Sequence, residues 1–461
     1  MKKYFPIKIA ISALAILFSM SCFAQQADSL AIKKIADDVL TNGKAYDNLR
    51  YICKKIGARL SGSANAQKAV EATAKMLKEA GADTVYMQPC MVPHWVRGEK
   101  EKGVIQVAGA VKKELHLCAL GNSVGTGKKG ITAGVIEIKS FDELNNLGTT
   151  VIKGKIIFFN FPMNQTYIQT FHAYGESVQS RVYGPSKAAQ YGAVAVMVRS
   201  MAINPDDYPH TGVTVYNDSF PKIPAVAIST NDAIWLSHQL KLKMVLSASI
   251  LTNCRMLADA PSYNVVGEIR GNEFPKEIIT VGGHLDSWDM AEGASDDGTG
   301  IVQSIEVLRA IKASGIPPKR TIRAVMFMNE ENGGRGGDKY LELAKQNKEK
   351  HVFALESDAG GFTPRGFSFE VTDSQFEKLL QWKNLFYNYG VYDFSKGGSG
   401  SDVGPLKETG AALAGLSPDN QRYFDIHHAV TDVFENVSKR ELHLGALNMA
   451  ALIYLVDKYG L

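Results

Sequence analysis

Beyond residue 260 the chain repeats one device: an apolar run of strand length that ends in histidine or carboxylate. "EIITVGGHLDS", "RTIRAVMFMNEE" and "HVFALESDAGG" are such runs, and "SYNVVGEIRG" precedes them as a further β-rich stretch. Between the first two, "GIVQSIEVLRAIKASG" places Ile301, Ile305, Leu308 and Ile311 on one helical face. Strand, helix, strand, strand in this order predicts an α/β fold, a mixed and mostly parallel central sheet flanked by helices. In such open sheets ligands bind in the crevice beyond the carboxyl ends of the strands, which is where the polar clusters fall. Upstream, Asn65–Ala80 has apolar positions at helical spacing and is followed by Gly81, so a helix feeding a strand is expected there.

A chain of 461 residues, 45% of them hydrophobic, exceeds the roughly 100 to 200 residues of a usual domain. Residues 124–250 differ from the rest. "KGKIIFFNFP", "AAQYGAVAVMVRS" and "KIPAVAIST" are short β-like stretches separated by Gly, Pro and polar loops, with no cluster of histidines and carboxylates. They are expected to form a β-rich domain inserted into a discontinuous first one, residues 25–123 and 251–461.

The net charge of +4, from 51 basic and 47 acidic residues without a run of like charge, excludes an electrostatic nucleic-acid surface. Residues 1–24 have a basic start, an apolar stretch from Ile9 to Met20, and small residues Cys22 and Ala24, the layout of a secretory signal peptide cut after Ala24. The stretch falls short of the ~20 residues that span a bilayer, and no later segment is apolar enough to do so. Export to the periplasm or the extracellular space follows. Lipoprotein anchoring through Cys22 is the less favoured rival, because Ser19 is a poor residue three places before such a cysteine. Cys53, Cys90, Cys118 and Cys254 form no CxxC pair; disulfides and buried free thiols both remain open, as does any pairing.

Taken singly, each polar cluster has an ordinary reading. The strand from Ile278 delivers His284 and Asp286 at i and i+2, so their side chains leave the same face and Asp286 can hold one ring nitrogen while the other binds a metal. "SDDGTG" reads as first-turn carboxylates before a helix. "NEEN" puts Glu330 and Glu331 at a strand end, pointing different ways. "ALESDAGG" offers Asp358, with Glu356 and Ser357 as weaker neighbours, and "YFDIHHAVTD" offers His427, His428 and Asp432. No ordinary reading explains why successive element ends all carry oxygen and imidazole ligands. Acids such as Asp296, Glu330, Glu331 and Asp358 gathered in one cleft require compensating cations, and mixed imidazole and carboxylate donors suit zinc, with cobalt or manganese as substitutes.

"HLDSWD", "DDGTG", "NEEN", "ESDAGG" and "YFDIHHAVTD", in this order, resemble the di-zinc exopeptidases of the aminopeptidase Y and glutamate carboxypeptidase type. "HLDSWD" together with "NVVGEIRG" looks most like the carboxypeptidase Q branch, and the insert resembles the protease-associated domain of many members. The resemblance implies two zinc ions per chain, His284 and Asp358 on one, Glu331 and His428 on the other, and Asp296 bridging. It implies Glu330 as general base and proton donor, Asp286 as the residue orienting His284, and hydrolysis of dipeptides or short peptides by a metal-bridging hydroxide. His428 is favoured over His427 because it stands four residues before Asp432, as the family's ligand does before its own Asp; Val433 departs from the family's Thr. Ser401 and Asp402 of "GGSGSDVGP" and Tyr423 become candidates for positioning the substrate. A metal-free receptor-like protein of this fold and a single-zinc glutaminyl cyclase are the rival readings. Polarity of cleavage, side-chain preference and oligomeric state, monomer or homodimer, stay open.

Overall fold

The computed structural model describes residues 26–109 and 111–461; the expected signal peptide, its cleavage site and Cys22 lie outside them. The central sheet runs in the order 84–96, 255–269, 320–327, 274–284, 350–356, 412–418, 364–370 and 393–396. Strand 274–284 pairs parallel with 320–327 and 350–356, and 350–356 pairs parallel with 412–418. The outer pairings include antiparallel ones, so the sheet is mixed as expected. The four parallel strands point their carboxyl ends to one edge, and that edge carries the polar clusters.

Helix Thr299–Ser314 lies against this sheet with Ile301, Ile305, Leu308 and Ile311 buried. It stops at Gly315, whose φ of 68° suits a residue without Cβ. The C-terminal helix Lys439–Tyr459 packs beside it, and helix Ala64–Glu79, capped by the Ser63 hydroxyl, covers the strand 255–269. A helix unread in the sequence, Arg335–Gln346, links the second and third strands of the expected series. Its start is masked by "GGRGG", where the apolar period is interrupted by glycines.

Residues 102–251 build two further sheets, one in the order 111–114, 102–107, 245–251, 131–133 and one in the order 117–119, 225–228, 195–199, 156–159, 135–138. Strands 102–107 and 117–119 pair with strands of this second lobe, so a boundary at residue 124 would divide its sheets. These strands are short enough to be indistinguishable in sequence from the end of the preceding long strand. The lobe is not made of strands alone: helices Phe141–Ile152, Thr170–Ser177, Gly184–Gln190 and Thr230–Lys241 accompany them. The four cysteines are buried free thiols. Among the described residues no helix is long and apolar enough to cross a membrane.

Candidate active site

His284 is the last residue of its strand, and Glu330, Glu331 and Asp358 follow the ends of the two strands flanking it. Tyr423 and His428 come from the segment after the fourth parallel strand, and Asp296 from the turn that leads into helix 299–314. Asp296 stands at the centre. Its Oδ1 is 3.0 Å from His284 Nε2, which is also 3.5 Å from Asp358 Oδ1. Its Oδ2 is 3.1 Å from His428 Nε2, which is also 3.1 Å from Glu331 Oε2. One carboxylate therefore faces two separate imidazole and carboxylate pairs. Asp296 Oδ2 is buried and accepts no hydrogen bond despite the nearby nitrogens, an orphaned oxygen that a cation between the groups would satisfy.

The electrostatics agree. Burial and the charge of Asp296 push the Glu331 carboxyl up to about 8. Burial lifts Asp358 to about 6 against the attraction of His284. For the imidazoles burial works downward, yet the carboxylates beside them prevail: Asp358 and Asp296 hold His284 well above the ordinary histidine range, and Glu331 and Asp296 push His428 up to about 10. Burial works to raise Asp296, yet the two histidine rings beside it hold it well below the ordinary aspartate range. Acids and bases that must share protons among themselves form a donor set that dications can take over, releasing those protons.

A family model described as peptidase family M28 matches residues 264–453. Carboxypeptidase Q of Bos taurus is 34% identical over 413 residues, covering 90% of this chain and 85% of that protein. The chain belongs to peptidase family M28. Carboxypeptidase Q of Xenopus laevis is 36% identical, covering 92% and 89%. The crystal structure of a peptidase M28 precursor from Shewanella amazonensis superposes with a TM-score of 0.89 at 29% identity, covering 94% of this chain and 97% of that one. A zinc aminopeptidase from Bacillus subtilis shares the fold, with a TM-score of 0.64 at 22% identity over 91% of this chain and 96% of that one. The chain is a metallopeptidase acting on peptides.

In this M28 chain the clusters are held by residues whose part no local pattern announces. The Asp286 carboxylate does not hold the His284 ring, as its i+2 spacing suggested. The strand ends at His284, the alternation of faces ends with it, and the ring Nδ1 lies 3.0 Å from the Asp286 carbonyl and 3.8 Å from its carboxylate. Asp286 Oδ1 instead accepts the amides of Asn329 at 2.7 Å and Glu330 at 3.1 Å, fixing the turn that carries the acid pair. Asp297 accepts the amide of His284 at 3.0 Å and that of Gly300 at 2.9 Å, in space that exists because a Cβ on Gly283 would fall 2.3 Å from its Oδ2. Asp432 accepts the amides of Ser295 at 2.7 Å and Asp296 at 3.1 Å, holding the turn at Asp296 in place. Of the expected substrate contacts, Ser401 is exposed, whereas Asp402 is buried and its amide donates to Glu356 Oε2 at 3.0 Å. Tyr423 is buried and stacks on Phe171 of the second lobe, with ring centroids 5.4 Å apart.

Arg59 was invisible in the sequence because its partners are carbonyls. It is fully buried and donates to Leu285 at 2.6 Å, Glu292 at 2.7 Å and Gly293 at 2.9 Å, clamping both ends of the loop that separates His284 from Asp296. Arg59→Met would leave the buried Leu285 carbonyl and the half-buried Glu292 carbonyl without a donor, while the Gly293 carbonyl keeps the Gly298 amide; each stranded carbonyl costs about 1–3 kcal/mol. Urea unfolding is expected to show a loss of about 2 kcal/mol or more; a loss under ~1 kcal/mol would mean that the loop holds itself.

Proposed function

We propose that this metallopeptidase is an exported di-zinc exopeptidase of dipeptides or short peptides, with Asp296 shared between the two metals. The observation that carries this reading is the division of Asp296 between two donor pairs, His284 with Asp358 and His428 with Glu331. Zinc bound there would supply Lewis acidity, lowering the pKa of water and polarising the scissile carbonyl. The chain's own groups do the rest. Glu330 is half-buried at the site edge, beside the ligands but with its backbone fixed by Asp286, so its carboxylate is free to take the proton of the attacking water. As the C–O bond forms and the C–N bond breaks, Glu330 returns that proton to the leaving amine. Tyr423 is the proposed donor to the carbonyl oxygen, and Ser401 and Asp402 lie on the loop proposed to approach the substrate.

A narrow cleft beside these residues is lined by Trp288, Met290, Asp296, Glu331 and His428. The second lobe, whose residues 124–250 are read as a protease-associated insert, packs toward this edge through Phe171 stacked on Tyr423. Relatives named carboxypeptidase Q and aminopeptidase YwaD leave the polarity of cleavage to experiment. The mature protein loaded with zinc is to be assayed on a free dipeptide, its N-blocked form and its C-blocked form. Loss of cleavage with one block alone assigns the recognised end; equal cleavage of all three would remove the exopeptidase reading. Two zinc per chain separates this reading from a single-zinc cyclase and a metal-free receptor.

A further inference from the structure

His428 has a backbone φ of 62°, in the left-handed region that non-glycine residues rarely occupy, so contacts from elsewhere must hold it there. Those contacts come from the second lobe. The Thr211 amide donates to the His428 carbonyl at 3.0 Å, and the Thr211 carbonyl lies 3.2 Å from His428 Nδ1. Next to it, His210 Nδ1 lies 2.6 Å from the His427 carbonyl. Behind this pairing sits Arg181, 4% exposed, with Nη2 donating to the Tyr174 hydroxyl at 2.6 Å and Nη1 3.4 Å from the Thr211 carbonyl and 3.5 Å from His428 Nδ1. Its Nε has no partner, and among the described residues no carboxylate pairs with it. Gly212, at φ 134°, lets the loop close over the guanidinium: a Cβ there would fall 2.4 Å from Arg181 Cζ.

We infer that residues 210–212 and Arg181 are positioning residues for His428, so that the second lobe completes the metal site as well as walling it. This rests on the reading of His428 as a ligand. A neutral imidazole that donates from Nδ1 to the Thr211 carbonyl must present a bare Nε2 toward Asp296 and Glu331, the tautomer a metal needs. Arg181 also donates to that oxygen, and so keeps the carbonyl aimed at the ring. Were the lobe absent or misplaced, the ring could rotate and the left-handed backbone could relax, and the ligand would be lost without any change in the other four. The lobe thereby links substrate-side architecture to metal retention, although it contributes no ligand of its own.

The test uses the full-length mature protein loaded with zinc or cobalt(II). Arg181→Met is expected to weaken one of the two metal equivalents by about 10- to 100-fold in competition with a chromogenic chelator while the other stays within threefold. The cobalt absorption spectrum should change for that one equivalent, kcat should fall with KM little altered, and Arg181→Lys should restore part of the affinity. If Arg181→Met fails to fold, judged by circular dichroism of the metal-free protein, Gly212→Ala takes its place and should shift the same equivalent. Wild-type affinity for both metals in whichever variant folds would overturn the inference. His428→Ala is the control: if it loses one metal while the lobe variants do not, the inference fails and the ligand reading stands, whereas retention of both metals in His428→Ala removes the ligand reading itself.

Discussion

Glu330→Gln is expected to retain both metals and lose turnover by roughly 100- to 10,000-fold, the range that a positioned acid–base group contributes. The two acids of "NEEN" differ in what their carboxylates meet. Glu331 is buried, with Oε1 accepting the Trp288 amide at 3.1 Å and Oε2 3.1 Å from His428 Nε2. Glu330 is half-buried, and its backbone is tied to Asp286 while its carboxylate bears electrostatically on His284 and Asp358. The amide keeps the size of the side chain and removes its basicity. Glu331→Gln should instead release a metal, since an amide that donates toward His428 cannot replace a carboxylate there. Metal content by elemental analysis and kcat on a dipeptide separate the two. Activity of Glu330→Gln within tenfold of wild type would move the base elsewhere, and loss of metal from it would make Glu330 a ligand.

The site was largely legible because its chemistry is concentrated where strands end. His284, Glu330, Glu331 and Asp358 each follow an apolar run, and parallel pairing brings those runs side by side. The supporting structure was not legible, because support is given through the backbone. Arg59 grips three carbonyls, Asp286 and Asp432 collect amides, and Thr211 acts through its own carbonyl, so no pattern of side-chain types marks them. The second lobe illustrates the same limit. It lacks a cluster of histidines and carboxylates and so looked separate from the chemistry, yet its loop at 210–212 reaches His427 and His428. Its helices were missed because the apolar strands 156–159, 195–199 and 225–228 between them dominate the reading.

Stability supplies the second large effect. In the metal-free protein Glu331 is raised to about 8 and His428 to about 10, so the folded site keeps protons that the unfolded chain, with values near 4.5 and 6.5, has given up by pH 7.5. The folded state then binds more protons, and stability of the metal-free protein falls as pH rises from 7.5 to 8.5. His210, His427 and His443 are held below the usual range by burial and work in the opposite sense, but only near and below the ordinary histidine value, where the unfolded chain takes up protons. Buried thiols such as Cys53, raised to about 12, also lower stability as pH rises, but equally with and without metal. The increment due to zinc therefore isolates the site. Zinc displaces the protons and becomes a better ligand of the folded state as pH rises, worth about 4 kcal/mol when free zinc is ~1,000-fold above Kd. Thermal unfolding at pH 7.0, 7.5, 8.0 and 8.5 at one buffered free zinc concentration should show a gap in Tm over the metal-free protein that widens with pH. In Asp296→Ala, which takes away the oxygen shared by both donor pairs, the gap should nearly vanish at every pH; a gap that persists there, or one that narrows toward pH 8.5 in the native chain, would mean that the acids and imidazoles of this edge do not hold the metals together.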